Sequence, residues 1–495
     1  MKKKLGVYIG NIFLALCIVL YATLLALYYL GGTGTLINDN SILLASVYFA
    51  LLILGLFFHK GITRIPVYIF ILLNLLFYGQ RFIFLYLFPE SIRFIRTINY
   101  TVDDINKALI YLLIYTAATM IGFKTAEFLP TNNNNNEKNN WLPKWLYRET
   151  SRNKFYIIIL CSYIAKIIMS VYYQHTAQGA LLNTKITDVF SIKLLLHLLL
   201  YFNFAQLIIF IILLQPEIRR KTKENIAISL IFILIMVSSL SQGSKAAIIA
   251  IALSYFIVKI VMGNYLFKKK TLLLLLIIMF TLPIMGPLST TVRTSIILGV
   301  NSTKQFKEIF KKASTGYADD LIGISSRLGG IDWLAAAVSK TKKNELKDYV
   351  NLPSLGKDAA NRLIPVPKVF PDKLNMLQQY TKVIWEIPVE QTFKITELPT
   401  FFSVLYLLFG YFSVFIVFLW GTLSLIVIKS NVSILIKVLY CQHLMVQLFL
   451  GGDIIESVKA FFMALFILWL ITLIVSKRHR FIADKTNKFE TLTNE

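Results

Sequence analysis

The chain has 495 residues, of which 56% are hydrophobic and 16% are charged. A soluble protein carries roughly 25% charged residues, so this composition excludes a soluble globule. The formal net charge of +25 arises from 51 basic and 26 acidic residues. Nucleic-acid binding often explains so basic a chain, but here most of the excess lies in short clusters between apolar segments, a pattern that sets membrane topology. We therefore expect contact with a lipid bilayer and with no nucleic acid.

Apolar segments follow one another from the beginning of the chain, each close to the roughly 20 residues that a helix needs to cross a bilayer. They predict an all-α polytopic membrane protein with about 12 transmembrane helices. The first segment follows Met1–Lys4 and is too long for the apolar part of a signal peptide, so we expect it to be retained as a helix. The predicted spans are 5–30, 42–58, 65–88, 105–123, 155–174, 190–214, 225–242, 245–262, 271–288, 400–428, 432–450 and 454–475.

The loops between the predicted helices alternate in charge. One set is rich in Lys and Arg and includes the 124–154 loop, whereas the other set is poor in them wherever it is short. By the positive-inside rule, both termini and the 124–154 loop are cytoplasmic and the 289–399 segment lies outside. The predicted organisation is nine helices in residues 1–288, a large outer loop at 289–399, three helices in 400–475 and a cytoplasmic tail at 476–495.

The outer loop contains helical patterns of its own. Residues 304–317 place apolar side chains on one helical face and lysines on the other, which is typical of a helix lying in the membrane interface. A second helix is predicted from Leu321 to about Ser339, after the Asp319–Asp320 pair, because carboxylates favour helix N-termini. The prolines from Pro353 to Pro388 predict an extended, turn-rich segment. We expect a small cap of helices and irregular chain above the membrane.

Five cations lie near the outer side of the predicted membrane region, namely Arg81, Lys193, Lys245, Arg293 and Arg327. An ionisable group in a spanning helix is costly and raises a functional question. Snorkelling to lipid headgroups is the ordinary explanation for Arg81 and Lys193. For Lys245 and Arg293, which lie at a tight turn and beside the long loop, a substrate site explains the charge equally well. Several such cations together suit a pyrophosphate.

Carboxylates that could act as a base on the same side are more numerous, and no spacing distinguishes one of them. The three cysteines all fall in apolar segments without paired spacing, so neither disulfides nor a zinc site is indicated. Nucleotide-binding loops and the common catalytic motifs are not present in the sequence. We therefore expect no metal and no cofactor. The outer carboxylates are Asp332, Asp372, Glu386, Glu390, Glu397, Asp453 and Glu456.

Three stretches of the chain resemble the motifs of one family. Ser241–Ala247 resembles a Gly-Ser-Arg-like turn between two helices, with Lys245 in place of the usual arginine. Arg362–Lys373 resembles a segment of a large outer loop that ends in Pro-Asp-Lys, with Lys and Phe where Arg and Trp are usual. Pro399–Gly410 resembles the beginning of the helix that follows such a loop.

Together with the helix layout, these stretches resemble the Wzy-type oligosaccharide repeat-unit polymerases, which are relatives of the O-antigen ligases. Arg327 also lies where such proteins often carry a Ser-Arg pair in a loop helix. The resemblance implies a metal-independent glycosyltransferase of GT-C-like architecture at the periplasmic face of the bacterial inner membrane. Its substrates would be undecaprenyl-pyrophosphate-linked oligosaccharides. A chain-length regulator and a flippase would work beside it.

In the implied reaction, a hydroxyl of a newly flipped repeat unit attacks the anomeric carbon of the growing chain, and undecaprenyl pyrophosphate leaves. Cations stabilise the departing pyrophosphate, and a base or an oriented hydroxyl is also needed. The candidate bases are Asp332 and Glu397. The residues expected to hold the pyrophosphate are Arg327, Arg293, Lys245, Arg362 and Lys373.

Two other functions compete with this interpretation. An O-antigen ligase shares the topology and chemistry, but it typically has a histidine in its outer loop, and none of the five histidines lies in 289–399. A lipid-linked oligosaccharide flippase or another transporter would suit a dozen helices, but transporters usually have repeated halves and broken helices. They seldom have so long an external loop, so the polymerase is favoured.

Overall fold

The computed structural model describes a helical protein. The described residues are 18–19, 21–23, 26, 29, 37–59, 64–87, 101–129, 142–172, 204–241, 246–262, 287–288, 290–292, 294–295, 302–315, 330–342, 351–363 and 400–476. Every regular element that they form is a helix. The α-helices are α1 (Asp39–Phe58), α2 (Arg64–Asn74), α3 (Gln80–Leu87), α4 (Val102–Phe128), α5 (Glu149–Tyr172), α6 (Ala205–Leu214), α7 (Thr222–Ser241), α8 (Ala246–Val261), α9 (Thr303–Thr315), α10 (Gly330–Lys342), α11 (Leu352–Leu363), α12 (Phe401–Phe409), α13 (Ser413–Lys429), α14 (Ile434–Tyr440), α15 (Leu448–Gly451) and α16 (Ile454–Ser476).

Short helical turns of other kinds adjoin some of these helices. A π-helical turn, Leu75–Gly79, joins α2 to α3, and a second one, Cys441–Gln447, joins α14 to α15. A 3₁₀ turn at Gly410–Phe412 joins α12 to α13, and Lys144–Tyr147 forms another 3₁₀ turn before α5.

Five helical stretches in the described part of the chain are long and apolar enough to cross a membrane. They are Asp39–Phe58, Arg64–Ile83, Val102–Phe128, Phe401–Lys429 and Ile454–Val475. The spans predicted at 42–58, 65–88, 105–123, 400–428 and 454–475 are therefore confirmed as helices of this kind. The predicted spans at 155–174, 225–242, 245–262 and 432–450 are also largely helical. Of 190–214 only the last part is described, 5–30 lies mostly outside the described residues, and 271–288 lies almost wholly outside them.

Helices α1 and α4 run side by side in the same direction. At their beginnings, Ser41 donates a hydrogen bond of 2.6 Å to the side-chain oxygen of Asn106. At their ends, the His59 ring nitrogen lies 2.8 Å from the Glu127 carboxylate. Both helices begin with a capping box, in which Asn38 and Thr101 accept hydrogen bonds from backbone N–H groups that would otherwise be unpaired.

The continuous pair α12–α13 runs in the same direction as α4. Tyr115 and Ser413 share a buried hydrogen bond of 2.6 Å, and the Lys429 ammonium donates to the carbonyl oxygens of Ala126 and Glu127. His59, Arg64, Lys124 and Lys429 therefore lie at one end of the bundle, which we call the basic end. This clustering is what the charge alternation of the loops predicts.

The contact between α4 and α13 depends on glycine. A Cβ atom on Gly421 would lie 2.7 Å from the carbonyl oxygen of Thr119, and one on Gly122 would overlap that of Phe418. Thr422 donates a hydrogen bond of 3.2 Å to the Gly122 carbonyl. Small residues allow the backbones of membrane helices to approach closely, which replaces the hydrophobic driving force that lipid removes. This interface fixes α12 and α13 against the first half of the chain.

We expect Gly122→Ala to destabilise the protein by about 1–3 kcal/mol, because the obstructing atom belongs to the backbone and neither helix can yield without moving. Thermal unfolding of the detergent-solubilised protein measures the change. Gly356→Ala in α11 is the matched control, since a Cβ there meets nothing within 4 Å. An equal effect of both substitutions would show that the close α4–α13 contact is not required.

A buried ion pair ties α5 to α7. The Arg152 guanidinium donates to both carboxylate oxygens of Glu224, at 2.6 and 3.0 Å, and also to the carbonyl oxygens of Leu146 and Arg219. Arg152 and Glu224 are 2% and 1% exposed. Burial by itself would raise the pKa of Glu224, but hydrogen bonds from Arg152 and from the Lys221 backbone outweigh it, so the pKa lies below its ordinary value.

The pKa of Glu224 is lower in the folded state than in the unfolded state. The stability that the ionised Glu224 contributes is therefore fully present above its ordinary pKa, and it is lost as the pH falls through the folded-state pKa. The stability difference between the wild type and Glu224→Gln should therefore shrink as the pH is lowered below about 4.5. Thermal unfolding between pH 7 and pH 3.5 measures it. Glu149→Gln, which loses only the exposed pair with Lys221, should show no comparable convergence.

The segment predicted as an outer loop is more helical than expected. Helix α9 confirms the amphipathic helix at 304–317, and its lysines are exposed. Helix α10 coincides with the end of the second predicted helix and continues to Lys342, while residues 321–329 lie outside the described residues. The prediction of extended chain from Pro353 onward is wrong at its beginning, where α11 forms and contacts α16.

Helix α11 tolerates its proline because of where the proline lies. Pro353 occupies the first turn, where a helix leaves its N–H groups unpaired in any case. Asn351 caps the helix by accepting a hydrogen bond of 2.9 Å from the backbone N–H of Ser354. The remaining prolines, from Pro365 to Pro388, lie outside the described residues.

Candidate functional site

Helix α10 is buried against the apolar helices. Residues 334–337 (Leu-Ala-Ala-Ala) are fully buried, and the helix contacts α4 and α12. At its beginning, a Cβ atom on Gly330 would lie 2.7 Å from the Tyr78 ring. The alanine-rich face and Gly330 permit this close packing. A helix from the long segment between the predicted spans is thus part of the core of the bundle.

One ion pair connects α10 to α3. The Arg81 Nε atom donates a hydrogen bond of 2.6 Å to the Asp332 Oδ2 atom, although the two residues are far apart in the chain. Arg81 is 1% exposed and Asp332 is 16% exposed. The Nη1 atom of Arg81 is buried and has no hydrogen-bond partner among the described residues. A guanidinium has five N–H groups, so Arg81 keeps an unused donor capacity at a place that water does not reach.

A hydrogen-bonded hydroxyl pair lies next to these helices, because the Tyr78 ring packs against Gly330 at the beginning of α10. Tyr78 donates a hydrogen bond of 3.0 Å to the Thr400 hydroxyl at the beginning of α12. The Tyr78 ring stacks on Phe402 with a centroid distance of 5.8 Å and meets Phe449 edge-on at 6.0 Å. We call Tyr78, Arg81, Asp332 and Thr400 the Arg81 site. It brings together the π-turn before α3, helix α10 and the beginning of α12.

The Arg81 site lies away from the basic end of the bundle. Helix α2 begins at Arg64, at the basic end, and the chain runs through the π-turn to α3. Thr400 precedes α12, whereas Lys429 at the end of α13 lies at the basic end. Within the described ranges the two ends therefore differ, since several cations cluster at the basic end and the buried Arg81–Asp332 pair lies toward the other.

The sequence-predicted site residues are placed only in part. Asp332 is in the Arg81 site. Arg362 lies in the last turn of α11, where only its backbone is described. The other predicted residues lie outside the described residues, so the structure does not show whether they come together. They are Lys245, Arg293, Arg327, Lys373 and Glu397.

The prediction of snorkelling for Arg81 is wrong. A snorkelling side chain keeps its charged head in water or among headgroups, but the Arg81 head is buried and paired. Its position two turns inside the predicted 65–88 span was the available signal, because such a charge needs a partner. The sequence did not identify the partner of Arg81, because Asp332 was one of seven carboxylates predicted on the outer side and no spacing distinguished it.

The chemistry of the Arg81 site suits oxygen-rich ligands. Its groups are a guanidinium, a carboxylate and two hydroxyls, which bind anions and sugar hydroxyls through hydrogen bonds. In the described part of the chain, no group of three or more His, Cys, Asp or Glu residues is placed to hold a metal ion.

The described part of the chain is all-helical, and its long apolar helices indicate a membrane protein. Comparison of the chain with protein-family models, with curated protein sequences and with solved structures found no match.

We expect Asp332→Ala to destabilise the protein by about 3 kcal/mol, because it leaves the buried Arg81 charge without a partner. Replacing both members, as Arg81→Met with Asp332→Leu, should recover much of the loss, since apolar residues of similar volume avoid the cost of burying charge. Thermal unfolding in detergent measures both changes.

The exposed pair between Lys107 and Asp103 is the control for this experiment. Asp103→Ala should cost less than about 1 kcal/mol, as expected for a surface ion pair. If Asp332→Ala costs no more than Asp103→Ala, the ion pair does not hold α10 in place.

Proposed function

We propose that the chain is a polymerase that joins undecaprenyl-pyrophosphate-linked oligosaccharide repeat units into a surface polysaccharide. The observation that carries the proposal is the Arg81 site. There a helix of the long segment between the predicted spans is held in the membrane bundle by a buried guanidinium with an unused donor. A lipid-linked diphosphate at the membrane surface has the charge and the oxygen atoms that such a donor requires.

In the proposed topology, the basic end of the bundle faces the cytoplasm and the Arg81 site faces the periplasm. The rule that cytoplasmic loops carry an excess of Lys and Arg supports this orientation. Flipped lipid-linked sugars are presented on the periplasmic side. The long segment 289–399 then lies on the side where the proposed reaction takes place, and α9, with its exposed lysines, lies along the anionic membrane surface.

The proposed reaction is a glycosyl transfer between two lipid-linked chains. The acceptor hydroxyl oxygen forms a bond to the anomeric carbon of the donor chain, and the bond from that carbon to the diphosphate breaks. The hydroxyl proton passes to a carboxylate, for which Asp332 and Glu397 are the candidates. The diphosphate leaves as an anion, stabilised by Arg81 together with the sequence-predicted cations Arg327, Arg293 and Lys245 and by Arg362 and Lys373 from the loop.

Arg81 has two tasks in this proposal. Its Nε atom holds the Asp332 carboxylate in one orientation. Its Nη1 atom, which is buried in the structure, donates to a phosphate oxygen or a sugar hydroxyl once the side chains that cover it move aside. Preorganised donors in a water-excluded site stabilise developing charge more strongly than donors in water. The aromatic rings of Tyr78, Phe402 and Phe449 exclude water beneath the site.

The proposal predicts that Arg81→Ala abolishes polymer in cells whose own copy of the gene is deleted, because the leaving diphosphate loses a cation and Asp332 loses its partner. Surface polysaccharide resolved by gel electrophoresis is the readout, with the amount of membrane-inserted protein measured in parallel. Lys107→Ala, which removes an exposed cation, should leave the ladder unchanged. Arg327→Ala should also abolish chain growth.

The phenotype of the deletion distinguishes the candidate functions. Loss of a polymerase leaves single repeat units attached to the lipid A core, whereas loss of a ligase or a flippase leaves no surface glycan. Full-length polymer from an Arg81→Ala protein at normal abundance would contradict the assignment of Arg81. Absence of surface glycan in the deletion would contradict the polymerase itself.

A further inference from the structure

A groove of about 410 Å³ runs between α1 and α4 near the basic end. Its floor is formed by Gly55 and Met120, and its rims by Leu54 and Ile121, whose side chains are largely exposed. The lining is apolar along its length, and Lys124 lies at its mouth. It extends along α1 from Leu51 to Phe58, which corresponds to about 10 Å at 1.5 Å per residue.

The mouth of the groove carries a net positive charge. Lys124, 44% exposed, lies 2.6 Å from the Glu127 carboxylate, and Lys429 donates to the Glu127 carbonyl. Arg64 donates to the carbonyl of His59. Burial lowers the pKa of His59 despite its contact with Glu127. Among the described residues at this end, the cations Lys124, Lys429 and Arg64 outnumber the Glu127 carboxylate.

We propose that the groove binds one acyl chain of an anionic phospholipid, with the lipid phosphate at Lys124. The occupant has to be amphiphilic, because the groove is apolar along its length and charged only at the end where the membrane meets water. An anion at the mouth is favoured by the excess of cations, since juxtamembrane lysines attract anionic headgroups. A second copy of the chain would bring the same cations to the mouth and be repelled.

Gly55 determines whether the acyl chain fits into the groove. A Cβ atom there would lie 2.6 Å from the end of the Met120 side chain. That end is flexible, so a larger residue at position 55 can be accommodated by rotation of Met120, and the added side chain then fills the groove. Gly55→Leu is therefore expected to fold and to exclude the lipid.

The test is native mass spectrometry of the full-length protein released from nanodiscs that contain equal amounts of phosphatidylglycerol and phosphatidylethanolamine. The wild type should retain one phosphatidylglycerol molecule, and Gly55→Leu should lose it. Lys124→Gln should still retain a lipid, but its preference for phosphatidylglycerol should fall about fivefold, which corresponds to about 1 kcal/mol for one lysine near an anionic surface. Val47→Leu, on the exposed face of α1, should behave as the wild type.

Two outcomes would overturn the inference. If Gly55→Leu retains the same lipid as the wild type, the groove is not the binding site. If the wild type retains both lipids equally, the headgroup charge is not recognised. Should Gly55→Leu fail to fold, Ala117→Leu narrows the same groove from the α4 side and has to give the same loss of lipid. The result does not depend on the proposed polymerase activity.

Discussion

The placement of helix α10 depends on the cost of burying the Arg81 guanidinium. Taking such a charge out of water costs several kcal/mol, and only a well-placed opposite charge offsets it. Within the bundle, Asp332 supplies that charge, and it does so only when α10 lies against α3 and α4. The position of a helix far away in the sequence is thus coupled to an arginine in an early membrane helix. Gly330 reinforces the coupling, because only a residue without a side chain fits against the Tyr78 ring.

Arg81 and Arg152 show how similar ion pairs serve different purposes. The Arg152 guanidinium is bound bidentately by Glu224 and also donates to two carbonyl oxygens, so its hydrogen-bonding capacity is largely used within the fold. Arg81 donates to Asp332, and in the part of the chain that the structure describes its buried Nη1 atom has no partner. A buried donor that lacks a partner costs free energy in the unliganded protein, and a ligand that accepts from it recovers that cost. This difference is the physical reason for assigning a binding role to Arg81.

Length and hydrophobicity were sufficient to predict the apolar helices, because a membrane helix has to satisfy its backbone internally and needs a stretch of fixed minimum length. The clustering of Lys124 and Lys429 at one end of the bundle also follows from the sequence, because loops on the same side of a membrane carry a similar excess of Lys and Arg. The fold departs from prediction where local rules have exceptions, as at Pro353 in the first turn of α11. The pairing of Arg81 with Asp332 could not be predicted, because no local pattern relates two such distant residues and several other carboxylates had the same claim.

The π-helical turn before Arg81 helps to explain the orientation of the Arg81 side chain. Leu75–Gly79 directly precedes Arg81, and Cys441–Gln447 belongs to a helix that contacts α2. A π-turn inserts one extra residue per turn and rotates everything beyond it, and such turns are frequent at functional sites. An arginine that would otherwise face lipid can thereby be turned toward the interior, where Asp332 is. Tyr78 and Phe77 in the first π-turn contact Phe449, which lies in α15 directly after the second one. In the proposed enzyme, these irregular turns orient the Arg81 guanidinium toward the substrate.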